Sequence, residues 1–270
     1  SQNIGMKNKY NLTALHIYII SNKTKVMYKD IFDLLSFEIK MDKDILKLYL
    51  DDNDMPDLEI IEIINKYIDN NYYNIGKCDD EYNTLLMCYL EHNENPSLEI
   101  VKSLKDEIGM KNIYGDTALI LYLRNNISPE IDIIKCLVKE IKIRNYYKYT
   151  SLMIYLFYNV DPKIEIIRFL SRNIGFKNSN NDTALMLYLY KRELIDINII
   201  KYLYREIGFK NKEGKTALIK YLERRKNPDI NIIKALSKEI NIVDNENIRP
   251  YIYYKKYKEI YNDDIENLLY

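Results

Sequence analysis

Thr84, Thr117, Thr150, Thr183 and Thr216 are evenly spaced along the chain, and the same phrase surrounds each of them. It is clearest as EIGMKNIYGDTALILYL around Thr117 and EIGFKNKEGKTALIKYL around Thr216. A fixed period of this length means a stack of repeated supersecondary units. The register extends to Thr13, to Asp44 in the threonine place, and to Arg249, which lies one further period past Thr216. Tyrosine recurs five residues after every anchor: Tyr18, Tyr49, Tyr89, Tyr122, Tyr155, Tyr188, Tyr221 and Tyr254. The spacing breaks once, between Asp44 and Thr84. About seven extra residues are expected there, within residues 69–83.

Each unit reads as two helices and a loop. Leu119, Tyr122 and Leu123, with their equivalents, share one face of a first helix. The anchor threonine is a suitable N-cap, because its hydroxyl can accept an otherwise unpaired amide of the first turn. A second helix is expected to begin at Pro56, Pro96, Pro129, Pro162 or Pro228, with Asn95, Ser128, Asp161 or Asn227 as cap and the proline at its first position. Ile131, Ile133, Ile134, Leu137 and Ile141 form an apolar stripe, repeated as Ile164, Ile166, Ile167, Leu170 and Ile174. Burying each such side chain is worth about 1.5–3 kcal/mol. One unit has too little core to fold alone, but stacked neighbours share a continuous one. Paired glycines, Gly109 and Gly115 or Gly208 and Gly214, bracket a polar stretch that reads as a projecting finger.

The phrase N-x-x-G-x-T-A-L followed by two helices, with this period, resembles the ankyrin repeat over nearly the whole chain. The fold class implied is all-α: a solenoid of stacked helix pairs with finger loops. Residues 1–248 would be about seven units, anchored at Thr13, Asp44, Thr84, Thr117, Thr150, Thr183 and Thr216. Residues 249–270 would be a degenerate capping unit, with Tyr251, Tyr254, Ile265 and Leu269 apolar. There are departures: alanine (Ala118, Ala184) replaces the family's proline, and its histidine survives only as His16. The Tyr-Leu pair in the first helix and the long connection look like poxvirus ankyrin proteins. The EIG-x-KN-x-x-G-x-TALM phrase looks like those of diplomonad protists. The opening residues 3–8 read as the end of a repeat, so the sequence is expected to be either a piece of a longer array or a naturally capped start.

Forty basic and forty acidic side chains give a formal net charge of zero over 270 residues. A generic polyanion binder is usually more basic, so nucleic acid is not the expected partner. No stretch approaches the 18 uncharged apolar residues of a membrane span, and no secretory pattern opens the chain. Cys78, Cys88 and Cys136 fit no metal spacing, which suggests a reducing, intracellular (cytoplasmic) setting. No nucleotide-binding, esterase or zinc-protease motif occurs, and His16 and His92 stand alone. The expectation is therefore no enzyme, no metal and no cofactor.

Three columns repeat with the fold. The tyrosines share a face with the core leucines and read as packing, with hydroxyls reaching the helix boundary or water. Lys7, Lys111, Arg144, Lys177 and Lys210 form a basic column, and Glu107, Glu140, Glu206 and Glu239 an acidic one. Together these read as a solvated charge ladder worth a few tenths to about 1 kcal/mol per pair, or as a basic ridge for an acidic partner. Positions that do not repeat are free to serve a ligand. In the resembled family partners contact the finger tips and the exposed side of the first helix. The corresponding places here are Tyr114 and Arg124, then Arg144, Tyr146, Tyr147, Tyr149, Phe157 and Tyr158, then Tyr190 and Lys191. Aromatics and arginine are favoured at binding hot spots. The finger KEIKIRNYYKYTS has Lys142 and Lys148 in place of both glycines. It either presents its tyrosines or folds back and buries them. The reading is a protein-interaction module (adaptor, scaffold or competitive inhibitor, with a host protein as target if the viral resemblance holds) that also allows self-association through its N-terminal end. Alternatives are nucleic-acid or nucleotide binding by the tyrosine and lysine fingers, or the interaction region of a larger enzyme.

Overall fold

The computed structural model describes residues 5–22, 27–41, 45, 48–49, 57–67, 81–259 and 262–270. Asp44, Pro56 and most of the expected irregular junction (residues 69–80) lie outside them. Every described element is helical. The chain forms two compact units, residues 1–140 and 141–270. In the second unit the first helices Ser151–Tyr158, Ala184–Lys191, Ala217–Leu222 and Pro250–Tyr257 pack side by side in chain order. The second helices Ile197–Tyr202, Ile230–Ala235 and Asp263–Leu269 do the same. In the first unit Leu85–His92 packs on Ala118–Asn125, and Leu98–Ser103 on Ile131–Cys136. This is an all-α solenoid of helix pairs with finger loops. Residues 249–270 keep the register, with Tyr254, Ile265 and Leu269 buried.

Thr84, Thr150, Thr183 and Thr216 cap their helices, each hydroxyl accepting the amide three residues on. The first helix is apolar all round rather than on one face: Ala118 through Leu123 are all buried. In the second helices, Ile133, Ile134 and Leu137 are buried, and so are Ile166, Ile167 and Leu170.

The second helix starts two residues later than the prolines suggest. Ser97, Glu130, Lys163, Asp196 and Asp229 are the N-caps, and the proline, where present, precedes the cap. The tyrosine column explains the shift. Each column hydroxyl accepts the backbone N–H of the residue that opens the second helix, at 2.6–3.2 Å, from Tyr18 with Tyr28 to Tyr254 with Asn262. A proline has no N–H to give, so it cannot occupy that place. All eight tyrosines except the half-buried Tyr18 are core residues. Burial pushes Tyr122 and Tyr155 up to about 12.

The acidic column is not a solvated ladder. Glu140 is 0 % exposed and accepts the amides of Gly109 and Leu119, both at 2.7 Å. Glu206 takes those of Gly175 and Leu185, and Glu239 those of Gly208 and Leu218. Each carboxylate thus ties the amino end of a first helix, where the partial charge is positive, to the glycine that begins its finger. These glycines hold φ of +87 to +98°, a conformation that costs a side-chain-bearing residue about 1–2 kcal/mol. Charge burial raises all these carboxyls, Glu107 to about 7.

The Thr150 unit lacks this tie. Asn173 stands in the glutamate place, Lys142 in the glycine place, and Ser151 where the Thr13, Thr117, Thr183 and Thr216 units have alanine. Asn173 donates to the Ser151 hydroxyl at 3.0 Å, and that hydroxyl donates to the Ile141 carbonyl at 3.2 Å. Three substitutions therefore replace an ionic tie with a neutral relay.

Candidate functional site

The fingers are shaped by one asparagine each. Asn112, Asn178 and Asn211 accept the amides two and four residues ahead through a single side-chain oxygen, and Asp244 does the same. Such a side chain mimics a backbone turn. The residue two before each anchor is left-handed: Gly115, Lys148, Asn181 and Gly214 have φ of 75, 61, 61 and 77°. Lys148 adopts the angle despite its side chain. The finger without glycines therefore keeps the common shape and does not fold back. Neighbouring fingers of the second unit are hydrogen-bonded, Ser179 N–H to the Tyr147 carbonyl and Lys212 N–H to the Asn180 carbonyl, both at 2.9 Å.

In this second unit Tyr146 and Tyr147 stand at the finger tip, 67 % and 61 % exposed, and Tyr158 is 47 % exposed at the end of its helix. Phe157 is half-buried, edge-on to Tyr158 with ring centres 5.0 Å apart, and the Lys191 ammonium lies 5.2 Å over its ring. Tyr149 is half-buried; burial raises its pKa, opposed by a hydrogen bond with the Asn178 side chain. Tyr190 is half-buried beneath Lys220 and Arg224, whose charged groups sit 4.0 and 4.2 Å from its ring centre. Arg144 is exposed and covers Phe176 at 5.3 Å. In the first unit, Tyr114 is 41 % exposed and Arg124 is paired at 2.6 Å with the buried Asp116.

The basic column carries its charge at the surface but is anchored by its neighbours. Lys177 lies over Phe209 at 4.9 Å, and Lys210 donates to the Val243 carbonyl at 2.6 Å. Sequence reasoning missed Lys220 and Arg224 as covers for Tyr190. It also missed Arg192, which is buried and donates to the Leu156 and Phe157 carbonyls at the carboxyl end of the preceding first helix. Its signal was available: Arg225 stands one period further on and donates to the Leu189 carbonyl in the same way.

Thr13 and His16 bond each other at 2.8 Å inside the first unit, so His16 serves the fold. His92 is exposed at a helix end. No group of three or more metal-ligating side chains occurs among the described residues, and none of their helices is long and apolar enough to cross a membrane. Cys136 is a free thiol, and Cys88 is disulfide-bonded.

No family model and no curated protein sequence matches the chain. Solved structures do. One is the Bd0816 predatory endopeptidase of Bdellovibrio bacteriovorus in complex with the immunity protein Bd3460, with 23 % identity over 72 % of this chain and 97 % of that chain, at a TM-score of 0.50. Another is the ankyrin repeat domain of Bcl-3, a member of the IkappaB protein family, with 11 % identity over 96 % and 98 % of the two chains, at a TM-score of 0.48. At 23 % identity the first of these likenesses shows the fold alone.

Proposed function

We propose that the chain is a non-catalytic protein-interaction module, an adaptor, scaffold or competitive inhibitor. Its main contact would lie on the finger and first-helix side of the second unit, around Tyr146, Tyr147 and Tyr158. The observation that carries this reading is the exposure of the two finger-tip tyrosines. The packing of the fold accounts for residues that recur at every repeat. At the places of Tyr146 and Tyr147 the next two fingers carry Ser179 and Asn180, then Lys212 and Glu213. An exposed aromatic cluster carries a solubility cost that a binding role explains. The tyrosines offer large, stiff contact area at low entropic cost, and Phe157 with Lys191 extends that area along the helix.

The test is affinity capture by the full chain, followed by a dissociation constant for the captured protein. Tyr147→Ala with Tyr158→Ala should weaken binding by at least about 2 kcal/mol, with the melting temperature within a degree or two of wild type, since both side chains are exposed. Unchanged binding would remove the patch from the interface.

A further inference from the structure

We infer that the partner of this surface is an extended acidic protein segment that seats an apolar residue on the tyrosine patch and then runs along the fingers of the second unit. The inference rests on the interaction reading above and adds the chemistry of the partner. It starts from a separation of charge. The chain is neutral overall, yet finger residues 142–149, 175–182 and 208–215 carry seven basic side chains against two acidic ones. The adjacent first-helix ends add Lys191, Lys220 and Arg224 against Glu223.

The three carboxylates of this strip are all engaged within the fold. Lys215 holds Glu213 and Glu223, each at 2.6 Å. Asp182 is buried and accepts from the Asn211 side chain at 2.9 Å. What faces outward along three hydrogen-bonded fingers is therefore positive. The strip also has an end: the next finger, residues 241–248, contains Asp244 and Glu246 and no basic residue. Cations on a neutral molecule, arranged in line and bounded by an acidic finger, steer and register an anionic chain.

The aromatic rings decide between a peptide and a nucleic acid. A single-stranded nucleic acid is held by bare aromatic faces repeated along the strand. On this strip the exposed tyrosines, Tyr146, Tyr147 and Tyr158, belong to one repeat. Farther along the strip, Phe176, Phe209 and Tyr190 are already covered by Arg144, Lys177, and Lys220 with Arg224. One apolar anchor followed by a row of carboxylates fits that arrangement, whereas successive bases would find their platforms occupied.

The experiment uses fluorescence anisotropy with the full chain and three labelled probes. These are a peptide of about a dozen residues with a Leu-Phe start and alternating Glu and Gly, the same peptide with Gln for Glu, and oligo-dT of similar length. The Glu peptide should bind at least about tenfold more tightly than the Gln peptide, and its affinity should fall as salt shortens the range of the charges. Lys142→Glu with Lys212→Glu, both at exposed positions, should weaken the Glu peptide by about tenfold or more. Lys142→Gln with Lys212→Gln should weaken it less, which separates lost attraction from any effect of charge reversal on folding. Equal binding of the Glu and Gln peptides, no binding at millimolar protein, or tighter binding of oligo-dT would each overturn the inference. If a captured partner depends on Tyr147 while the Glu peptide fails, the interaction reading stands and the acidic-segment inference alone falls.

Discussion

Tyr155 offers a two-step test of how the helix pair is held. Its ring is 0 % exposed, and its hydroxyl accepts the Lys163 N–H at 2.7 Å. Tyr155→Phe keeps the packing and removes that acceptor. Lys163 is itself exposed, so water can replace the lost partner and the cost should be about 0.5–1.5 kcal/mol. Tyr155→Ala removes the ring as well and should cost about 3–5 kcal/mol. Urea unfolding of the full chain measures both, and hydrogen exchange at the Lys163 amide should quicken in the Phe variant. Alkali supplies a second readout. Burial holds Tyr155 at about 12 when folded, against roughly 10 when unfolded. The folded state keeps a proton that the unfolded state loses, so stability is intact below about pH 10 and is lost as the pH rises through 12. Tyrosinate absorbance should appear late and together with unfolding. An Ala cost below about 1 kcal/mol would mean that the column faces solvent, and a Phe cost equal to the Ala cost would mean that the ring contributes nothing.

Two further expectations follow from buried or strained groups. Burial raises Glu107 from 4.5 to about 7, so its folded form holds the extra proton. Its contribution is full below about pH 4.5 and lost as pH rises through 7, a change of roughly 3 kcal/mol. Melts from pH 8 down to 5 should show rising stability, reversing at lower pH where Glu213, held down by its Lys215 bond, protonates; a flat profile would contradict the burial. Lys148→Asn should stabilise by about 0.5–1 kcal/mol, because asparagine tolerates the left-handed angle that Asn181 and Asn247 already adopt; a loss measured by urea unfolding would show a role for the lysine side chain in the finger.

The fold was legible because it is written several times over. The threonine caps and the buried tyrosines each recur in register, and recurrence identifies positions the packing dictates. The misreadings came from residues whose partners lie far along the chain. Glu140 looks like a surface charge until its amide donors, Gly109 31 residues before it and Leu119 21 before it, are known. Even so, the glutamate and the early glycine are present together at Glu140, Glu206 and Glu239, and absent together around Thr150, a correlation visible in the letters alone. The proline shift was not visible, because it depends on a tyrosine hydroxyl needing an N–H. Of the candidate site, the exposure of Tyr146 and Tyr147 could be inferred from their place at the finger tip; only Tyr146 fails to repeat, since Tyr10 and Tyr114 stand at the Tyr147 place. The half-burial of Phe157 and Tyr190 could not, since it depends on which cations settle over the rings.

The exception around Thr150 can be turned into a test of the carboxylate tie. Asn173→Glu alone would place a carboxylate at a site 0 % exposed to water. There Ser151 replaces the alanine of the Thr117, Thr183 and Thr216 units, and Lys142 lacks the left-handed angle of Gly109, Gly175 and Gly208. An incompletely paired buried charge should cost about 3 kcal/mol or more. Ser151→Ala alone would strip Asn173 and the Ile141 carbonyl of the hydroxyl between them, for about 1–3 kcal/mol. Combining Lys142→Gly, Ser151→Ala and Asn173→Glu rebuilds the arrangement seen at Glu206 and Glu239, and the triple variant should recover most of the loss. A coupling of at least about 1–3 kcal/mol between the substitutions is expected, read by urea unfolding and by exchange of the amides at residues 142 and 152. If the single Asn173→Glu is neutral, or the triple variant loses the sum of its parts, the three positions do not act as a set. The glutamates would then be tolerated passengers of the core rather than the clasp that binds each finger to its helix.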